Sequence, residues 1–286
     1  MLHFSKISHV RKQINKWKQQ GNKIAFVPTM GNLHAGHLAL LEKAKELADK
    51  AIVSIFVNPI QFDQEKDLQA YPRTLSDDKD KLLASGCDLV FTPSVDELYP
   101  NGSHITRVEV PKISELLEGE YRPGHFSGVS TVVSKLFNIV MPDIAVFGEK
   151  DFQQLMIIKK MVADLDMPVE IIGLPTIREP DGLAMSSRNG YLTSQERLIA
   201  AKFYKELQSL HKKLKEGCKD FMELQQLSIK KLNKAGFKAD YIEIRKESDL
   251  MPVSAEDTDM VILGSVWLGK ARLIDNVRVK LGAHSK

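Results

Sequence analysis

The stretch Thr29-Met30-Gly31-Asn32-Leu33-His34-Ala35-Gly36-His37 sets two imidazoles and two glycines where an apolar run ends and a helical pattern begins. The first N–H groups of a helix have no partner inside it, and with the helix dipole they favour an anion. Gly31 and Gly36 let a ligand approach the backbone closely. His34 and His37 are three residues apart and share a helix face. Two imidazoles there could donate hydrogen bonds to phosphate oxygens, most usefully where charge grows in a transition state. A His-x-x-His pair is also half a metal site, or merely a polar helix start. The strand before it and the helix after it favour phosphate. No clear cluster of further His, Asp or Glu completes a metal site. The spacing is not the GxGxxG of a dinucleotide fold, so a dinucleotide is not the natural ligand.

Gly148-Glu149-Lys150-Asp151 follows another apolar run and should lie on the same edge of the sheet. Lys150 would offer phosphate a point charge. Asp151 would either cap the next helix or help to hold magnesium, and a capped helix start with a solvated lysine explains the segment equally well. Met185-Ser186-Ser187-Arg188-Asn189-Gly190 joins two hydroxyls and a guanidinium, as a mobile phosphate clamp or as a polar turn. Asn58-Pro59-Ile60-Gln61-Phe62 and Gln153-Gln154 place amides beside apolar segments. They could read a hydroxy acid without adding charge, or be ordinary loop and helix-surface residues. Gly264-Ser265-Val266-Trp267-Leu268-Gly269-Lys270-Ala271 has Walker A spacing. It ends in alanine, so it lacks the hydroxyl for magnesium, and its bulky middle suits a strand and turn.

These segments need elements to position them. Ile24–Val27 and Ala51–Val57 are continuous apolar runs of the kind that form buried parallel strands. Between them Leu38, Leu41, Ala44, Leu47 and Ala48 share a helical face, which makes a βαβ unit. The alternation continues through a helix at Leu75–Ser85, a strand at Asp88–Thr92 and a helix at Gly128–Val140. Asp143–Phe147 reads as a strand, Phe152–Asp164 as a helix and Val169–Leu174 as a strand. The fold class is α/β, with a Rossmann-like open parallel sheet that binds ligands at the carboxyl ends of its strands. Downstream, long helices at Gln195–Gly217 and Lys219–Ala235 precede strands at Asp240–Arg245, Met260–Trp267 and Ala271–Lys280. That order predicts a smaller C-terminal α+β domain. The division expected is residues 1–180 and 181–286.

Composition narrows the function classes. The chain has 286 residues, which suggests about two domains at roughly 150 residues each. Lys+Arg is 40 and Asp+Glu 37, so a net charge of +3 argues for neither nucleic acid nor an anionic membrane as partner. Cys87 and Cys218 are far apart and make no CxxC pair, which suits a reducing cytoplasm. No apolar run reaches the roughly 18–20 residues needed to cross a bilayer. Ile7, Val10, Ile14 and Trp17 recur at helical spacing, so the N-terminal segment reads as an amphipathic helix and not as a signal peptide.

Taken together, the motifs resemble one family. Pro28-Thr29-Met30-Gly31 with His34-Ala35-Gly36-His37 is similar to the His-x-Gly-His signature of the nucleotidyltransferase superfamily. Met185-Ser186-Ser187-Arg188 sits where class I aminoacyl-tRNA synthetases carry a Lys-Met-Ser-Lys-Ser loop. Three further segments narrow the match: Ser54-Ile55-Phe56-Val57-Asn58-Pro59, Arg122-Pro123-Gly124-His125-Phe126 and Gly148-Glu149-Lys150-Asp151-Phe152-Gln153-Gln154. With Ser186-Ser187-Arg188-Asn189-Gly190-Tyr191-Leu192, this order resembles the pantoate–β-alanine ligase family from about Lys23 to Asn276.

The resemblance implies an AMP-forming ligase of pantothenate and coenzyme A biosynthesis that joins pantoate to β-alanine through a pantoyl adenylate. ATP is its co-substrate and Mg2+ is required, through ligands the motifs do not name. A cytoplasmic homodimer is expected. By resemblance, Met30, Gly31, Asn32, Leu33, His34, Ala35, Gly36 and His37 line the ATP site. Gly148, Glu149, Lys150, Asp151, Ile177, Met185, Ser186, Ser187 and Arg188 are expected to join them. Gln61 and Gln154, with Asn58, would hold pantoate, and the family assigns the residue matching His37 as a proton donor. His37, His34, Lys150 and Arg188 are the expected catalytic groups, and the loop Pro180–Asn189 the expected lid.

Chemistry agrees with that assignment. A free carboxylate has no adequate leaving group until it is made a mixed anhydride with AMP. The protein then supplies alignment and charge neutralisation, and needs no nucleophile. A nucleotidyltransferase acting on a phosphorylated acceptor is the nearest rival. It should carry more positive charge than the neutral amides of Gln61 and Gln154 provide. An aminoacyl-tRNA synthetase would need an appended basic domain, and a non-catalytic nucleotide-binding module would bind ATP without pantoate-dependent turnover.

Overall fold

The computed structural model describes residues 1–63, 65–102 and 105–281. The chain divides into two compact units. The first comprises Met1–Glu149 and Gln153–Pro175, and the second Lys150–Phe152 and Thr176–Lys286.

In the first unit the described residues form a six-stranded parallel sheet in the order β1-β4-β3-β2-β5-β6. The strands are β1 (Leu2–Phe4), β2 (Ile24–Thr29), β3 (Lys50–Ile55), β4 (Leu89–Phe91), β5 (Ile144–Gly148) and β6 (Glu170–Leu174). Ile24, Ala25, Phe26 and Val27 are wholly buried, which is why that strand reads as a continuous apolar run and not an alternating one. Helices α1 (Ile7–Gln19), α2 (Ala35–Leu47), α3 (Glu65–Ala70), α4 (Leu75–Ala84), α5 (Val95–Leu98), α6 (Glu118–Tyr121), α7 (His125–Val140) and α8 (Phe152–Asp164) connect the strands. The stripe Leu40, Leu41 and Ala44 of α2 packs with Ala25, Val27, Val53, Val90, Ile144 and Val146 of the sheet in one core.

From β2 the chain builds outward through β3 and β4 on one side, then returns to place β5 and β6 on the other. The crossing point is at β2 and β5, and doubly wound sheets take their ligands outside the carboxyl ends of the strands at such a point. The loops leaving those two ends are the ones that begin at Met30 and Glu149. The sequence pattern does not foresee β1, α3, α5 or α6. Each is six residues or shorter, too short for a period to register.

The second unit carries α9 (Ser194–Ala200), α10 (Lys202–Lys215) and α11 (Phe221–Lys234), then β7 (Lys238–Lys246), β8 (Asp259–Leu268) and β9 (Ala271–Lys280) in an antiparallel sheet with β8 central. Phe203, Leu207, Leu210 and Leu214 of α10 pack with Ile242, Ile262, Val266 and Val279 of that sheet. The single helix expected over Gln195–Gly217 is two helices, Ser194–Ala200 and Lys202–Lys215, that part at Ala201. The Walker-spaced segment is the end of β8 and its two-residue hairpin loop. Gly269 there has φ +56°, a left-handed conformation that favours glycine, and a Cβ would displace the Glu196 carboxylate 1.9 Å away, so the turn accounts for that glycine without a ligand.

Candidate active site

The turn after β2 is held from beneath by α4. Asp78, wholly buried, accepts the backbone N–H of Asn32 at 2.9 Å and of Leu33 at 2.7 Å, and the Thr74 hydroxyl at 3.2 Å. One turn on, Lys81 Nζ donates to the Leu33 carbonyl at 2.8 Å. Gly31 has φ +82°, and a Cβ there would press within 2.9 Å of Ile55 Cγ2 and 3.0 Å of Asp78 Oδ2. Conformation and space both demand glycine.

His34 is the N-cap of α2. Its Nδ1 accepts the Gly36 N–H at 3.2 Å, while His37 Nδ1 accepts the His34 N–H at 3.4 Å. The rings lie 4.0 Å apart between centroids. A ring nitrogen that accepts carries no proton, so both imidazoles hold theirs on Nε2. The histidine pair is therefore two neutral Nε2–H donors locked by a capping box.

A second constellation surrounds the 3-10 turn Pro59–Gln61. Asn58, 1% exposed, donates to the Gly128 carbonyl at 3.1 Å and to Gln61 Oε1 at 2.9 Å, and accepts the Tyr99 hydroxyl at 2.9 Å. A carbonyl only accepts, so Gly128 fixes the Asn58 amide, and Asn58 in turn fixes that of Gln61. Gln61 Nε2 is left facing Met30 Sδ at 3.2 Å, a weak acceptor. Arg122 donates to His125 Nε2 at 3.2 Å, so His125 Nδ1–H donates to the Gln61 carbonyl at 2.8 Å. Helix α7 comes so close that a Cβ on Gly128 would meet the Ile60 carbonyl at 2.5 Å and Gln61 Cα at 2.6 Å. Burial pushes the Tyr99 phenol well above its ordinary pKa, so it stays a donor.

The two glutamines of α8 separate cleanly. Gln153 is buried; its Nε2 donates to the carbonyls of Ile113 and Leu116, and its Oε1 accepts the Glu118 N–H. It is a clamp on that segment. Gln154 is half-buried. A Cβ on Gly148 would meet nothing within 4 Å, so packing does not account for that glycine.

In the second unit, Lys150 Nζ lies 3.8 Å from the Asp151 carboxylate, and the Lys150 carbonyl accepts Asn276 Nδ2 at 2.9 Å. Ile177 and Met185 face each other across a short antiparallel bridge, with the Met185 N–H donated to the Ile177 carbonyl at 3.0 Å. Ser186 caps the 3-10 turn Ser187–Tyr191 by accepting the Arg188 N–H at 3.3 Å. Arg178 pairs with Asp275 through its two terminal guanidinium nitrogens, at 2.6 and 3.0 Å, and lies 3.5 Å over the Tyr204 ring. Asp181, at the hairpin tip, pairs with Arg197 of α9, which holds its carboxyl below the ordinary value.

Within the first unit, the turn Met30–His37 and the amide site at Gln61 are adjacent through the Met30–Gln61 contact. Asn58 lies in a supporting layer, with both amide hydrogens and its oxygen engaged. Reading the sequence alone misses Asp78, Lys81, Tyr99, Asp275 and Asn276. Arg122 and His125 stand in a quoted motif but draw no role from it. Among the described residues no group of three His, Cys, Asp or Glu is placed to hold a metal ion. Magnesium ordinarily keeps several waters and takes one or two carboxylates together with substrate phosphates. Asp151, 46% exposed at its side chain, fits that limited part.

Comparison with known proteins agrees over nearly the full length. A family model described as pantoate-beta-alanine ligase matches residues 2–278. A pantothenate synthetase of Pseudomonas fluorescens (strain Pf0-1) is 52% identical over 276 residues, covering 96% of each chain. The crystal structure of pantothenate synthetase from Thermus thermophilus has a TM-score of 0.91 at 41% identity, covering 97% of this chain and 99% of that one. The pantoate-beta-alanine ligase of Francisella tularensis, solved in complex with beta-gamma ATP and beta-alanine, has a TM-score of 0.83 at 40% identity, covering 97% of each chain. With the motif-bearing turns and the parallel sheet already in place, these matches establish that the chain belongs to the pantoate–β-alanine ligase family and is an enzyme, a ligase.

Proposed function

We propose that the enzyme condenses pantoate with β-alanine at the expense of ATP, through a pantoyl adenylate. A carboxylate oxygen of pantoate attacks the α-phosphorus and pyrophosphate leaves. The β-alanine amine then attacks the acyl carbonyl, loses a proton and expels AMP, giving pantothenate. The observation that carries this reading is the turn after β2: two Nε2–H donors beside the start of α2, at the switch point of the sheet. Such donors neutralise charge developing on phosphate oxygens. An imidazolium would need a proton on Nδ1, which would set it against the capping N–H. His37 therefore acts as a hydrogen-bond donor, and proton transfer from it is disfavoured.

In the first unit, Met30, Gly31, Asn32, Leu33, His34, Ala35, Gly36 and His37, with Gly148 and Glu149, are assigned to ATP. In the second, Lys150, Asp151, Ile177, Met185, Ser186, Ser187 and Arg188 are assigned to the same substrate. Lys150 and Arg188 add positive charge for the phosphates. Gln61 Nε2, facing the Met30 thioether, is assigned to donate to a pantoate oxygen, with Gln154 as its partner and Asn58 as its support. Magnesium, when bound, would neutralise phosphate charge, and Asp151 would help to hold it. The loop Pro180–Asn189 serves as the lid, and the family resemblance extends the reading to a cytoplasmic homodimer.

Pyrophosphate–ATP exchange without β-alanine tests the reaction. Exchange that requires pantoate is expected, with AMP released only when β-alanine is added. His37→Ala should slow adenylation about 100- to 1,000-fold while the protein stays folded. Absence of both exchange and β-alanine-dependent AMP would refute the ligase reading. Near-parental single-turnover adenylation by His37→Ala would refute the role of the histidine.

A further inference from the structure

We propose that Asp275 and Asn276, adjacent on β9, are positioning residues that hold the Lys150 backbone and the hairpin carrying Met185–Arg188 in one fixed relation. The inference rests on the reading that Lys150 and Arg188 meet ATP. Asn276 Nδ2 donates to the carbonyl of Lys150, 126 residues away in the chain, at 2.9 Å. Asp275 takes the fork of Arg178, 97 residues away, at 2.6 and 3.0 Å. Arg178 also donates to the Gly182 carbonyl at 3.1 Å and to the Asn276 carbonyl at 3.4 Å, closing the network on itself. Arg178 bridges Ala184, and Met185 follows directly. Two neighbouring residues of one strand thus grip both phosphate-directed segments of the second unit.

The pattern along β9 marks the pair as unusual. Ala271, Leu273 and Val279 are buried members of the core, with Val277 packed against it, so the odd-numbered row faces apolar surroundings. Asp275 occupies that row at 4% exposure, and Asn276 on the opposite row is also buried, at 6%. Burial holds the Asp275 carboxyl above its ordinary value, and the Arg178 guanidinium offsets only part of that rise. A buried ion pair of this kind is a poor source of net stability, since a matched apolar pair often does as well. What it supplies is a directional, bidentate constraint on Arg178. Asn276 supplies the matching constraint on Lys150.

The test compares Asn276→Ala, Lys150→Ala and the double variant with the parent in single-turnover adenylation, alongside KM for ATP and for pantoate and a thermal melt. Asn276→Ala is expected to slow adenylation or raise the ATP KM about tenfold, with the pantoate KM within about twofold of the parent and a cooperative melt. In the Lys150→Ala background the same substitution should change adenylation by less than about twofold, because its effect passes through Lys150. Parental behaviour of Asn276→Ala, or effects that multiply in the double variant, would overturn the proposal while leaving the role of Lys150 intact. Lys150→Ala adenylating at the parental rate would instead overturn the reading of Lys150, and this inference with it. Should Asn276→Ala fail to fold, Asn276→Ser is read in the same way. Loss of the fold in both would make the residue structural and refute a positioning role.

Discussion

Asp78→Asn tests whether the turn Met30–His37 depends on support from α4. The buried carboxylate accepts three donors: the N–H groups of Asn32 and Leu33 and the Thr74 hydroxyl. Asparagine keeps the shape but offers one accepting oxygen. If that oxygen faces Asn32 and Thr74, the Leu33 N–H meets an NH2 group and loses its 2.7 Å bond. Hydrogen bonds to a charged partner contribute about 1.5–3 kcal/mol, and an orphaned buried donor costs about 1–3 kcal/mol. These figures overlap for a single bond, so a net loss of about 2–3 kcal/mol is expected. At about 2–4 °C per kcal/mol for chains approaching this size, Tm should fall by roughly 4–12 °C. Leu33 directly precedes His34, so the histidines should shift with the turn. A misplacement of about 1 Å can cost about 100-fold in rate. Single-turnover adenylation, measured well below the lowered Tm, is expected to slow by about 10- to 100-fold. An unchanged Tm would refute the bonding argument. A lowered Tm with parental adenylation would show that Asp78 supports the fold without setting the histidines.

Three further outcomes follow from the amide site and the thiols. Tyr99→Phe removes the donor that anchors Asn58 Oδ1, so the pantoate KM should rise several-fold, on the order of the 1 kcal/mol such a bond contributes, with the ATP KM unchanged. Gln61→Ala should move the same constant further, and equal weakening of both substrates would refute the assignment of the amide. Burial pushes the Cys87 thiol up to about 11, so it remains protonated through pH 8, whereas Cys218 is exposed. A disulfide reagent at pH 8 should modify one thiol quickly and the second only after denaturation, and rapid reaction of both would contradict the burial.

Several features were legible in the residues themselves. Phe26 and its neighbours are apolar on both faces because parallel strands are covered on both, and this produces the unbroken run Ile24–Val27. The stripe of α2 repeats at helical spacing because only one of its faces meets the sheet. Gly31 stood out as a glycine before a helix, and its φ of +82° explains why no other residue suits the turn. Such features repeat within a few residues, so a short window of sequence contains them.

Other assignments depended on partners far along the chain. Gln153 and Gln154 look alike in the sequence, yet only the structure shows that Gln153 is consumed as a clamp on Ile113, Leu116 and Glu118. Asn58 is expected at pantoate, and only the structure shows Gly128 and Tyr99 bonded to its amide. Asp78 reads as one acid in a charged helix, and Asn276 as a polar interruption of a strand. Which segments fold and which faces they bury could be read from the residues, because those properties follow from local spacing and solvent avoidance. The orientation of each amide, imidazole and carboxylate came from the assembled fold. Hydrogen bonds are directional and act over about 3 Å, so their partners are set by packing between segments that hydrophobic periodicity does not pair.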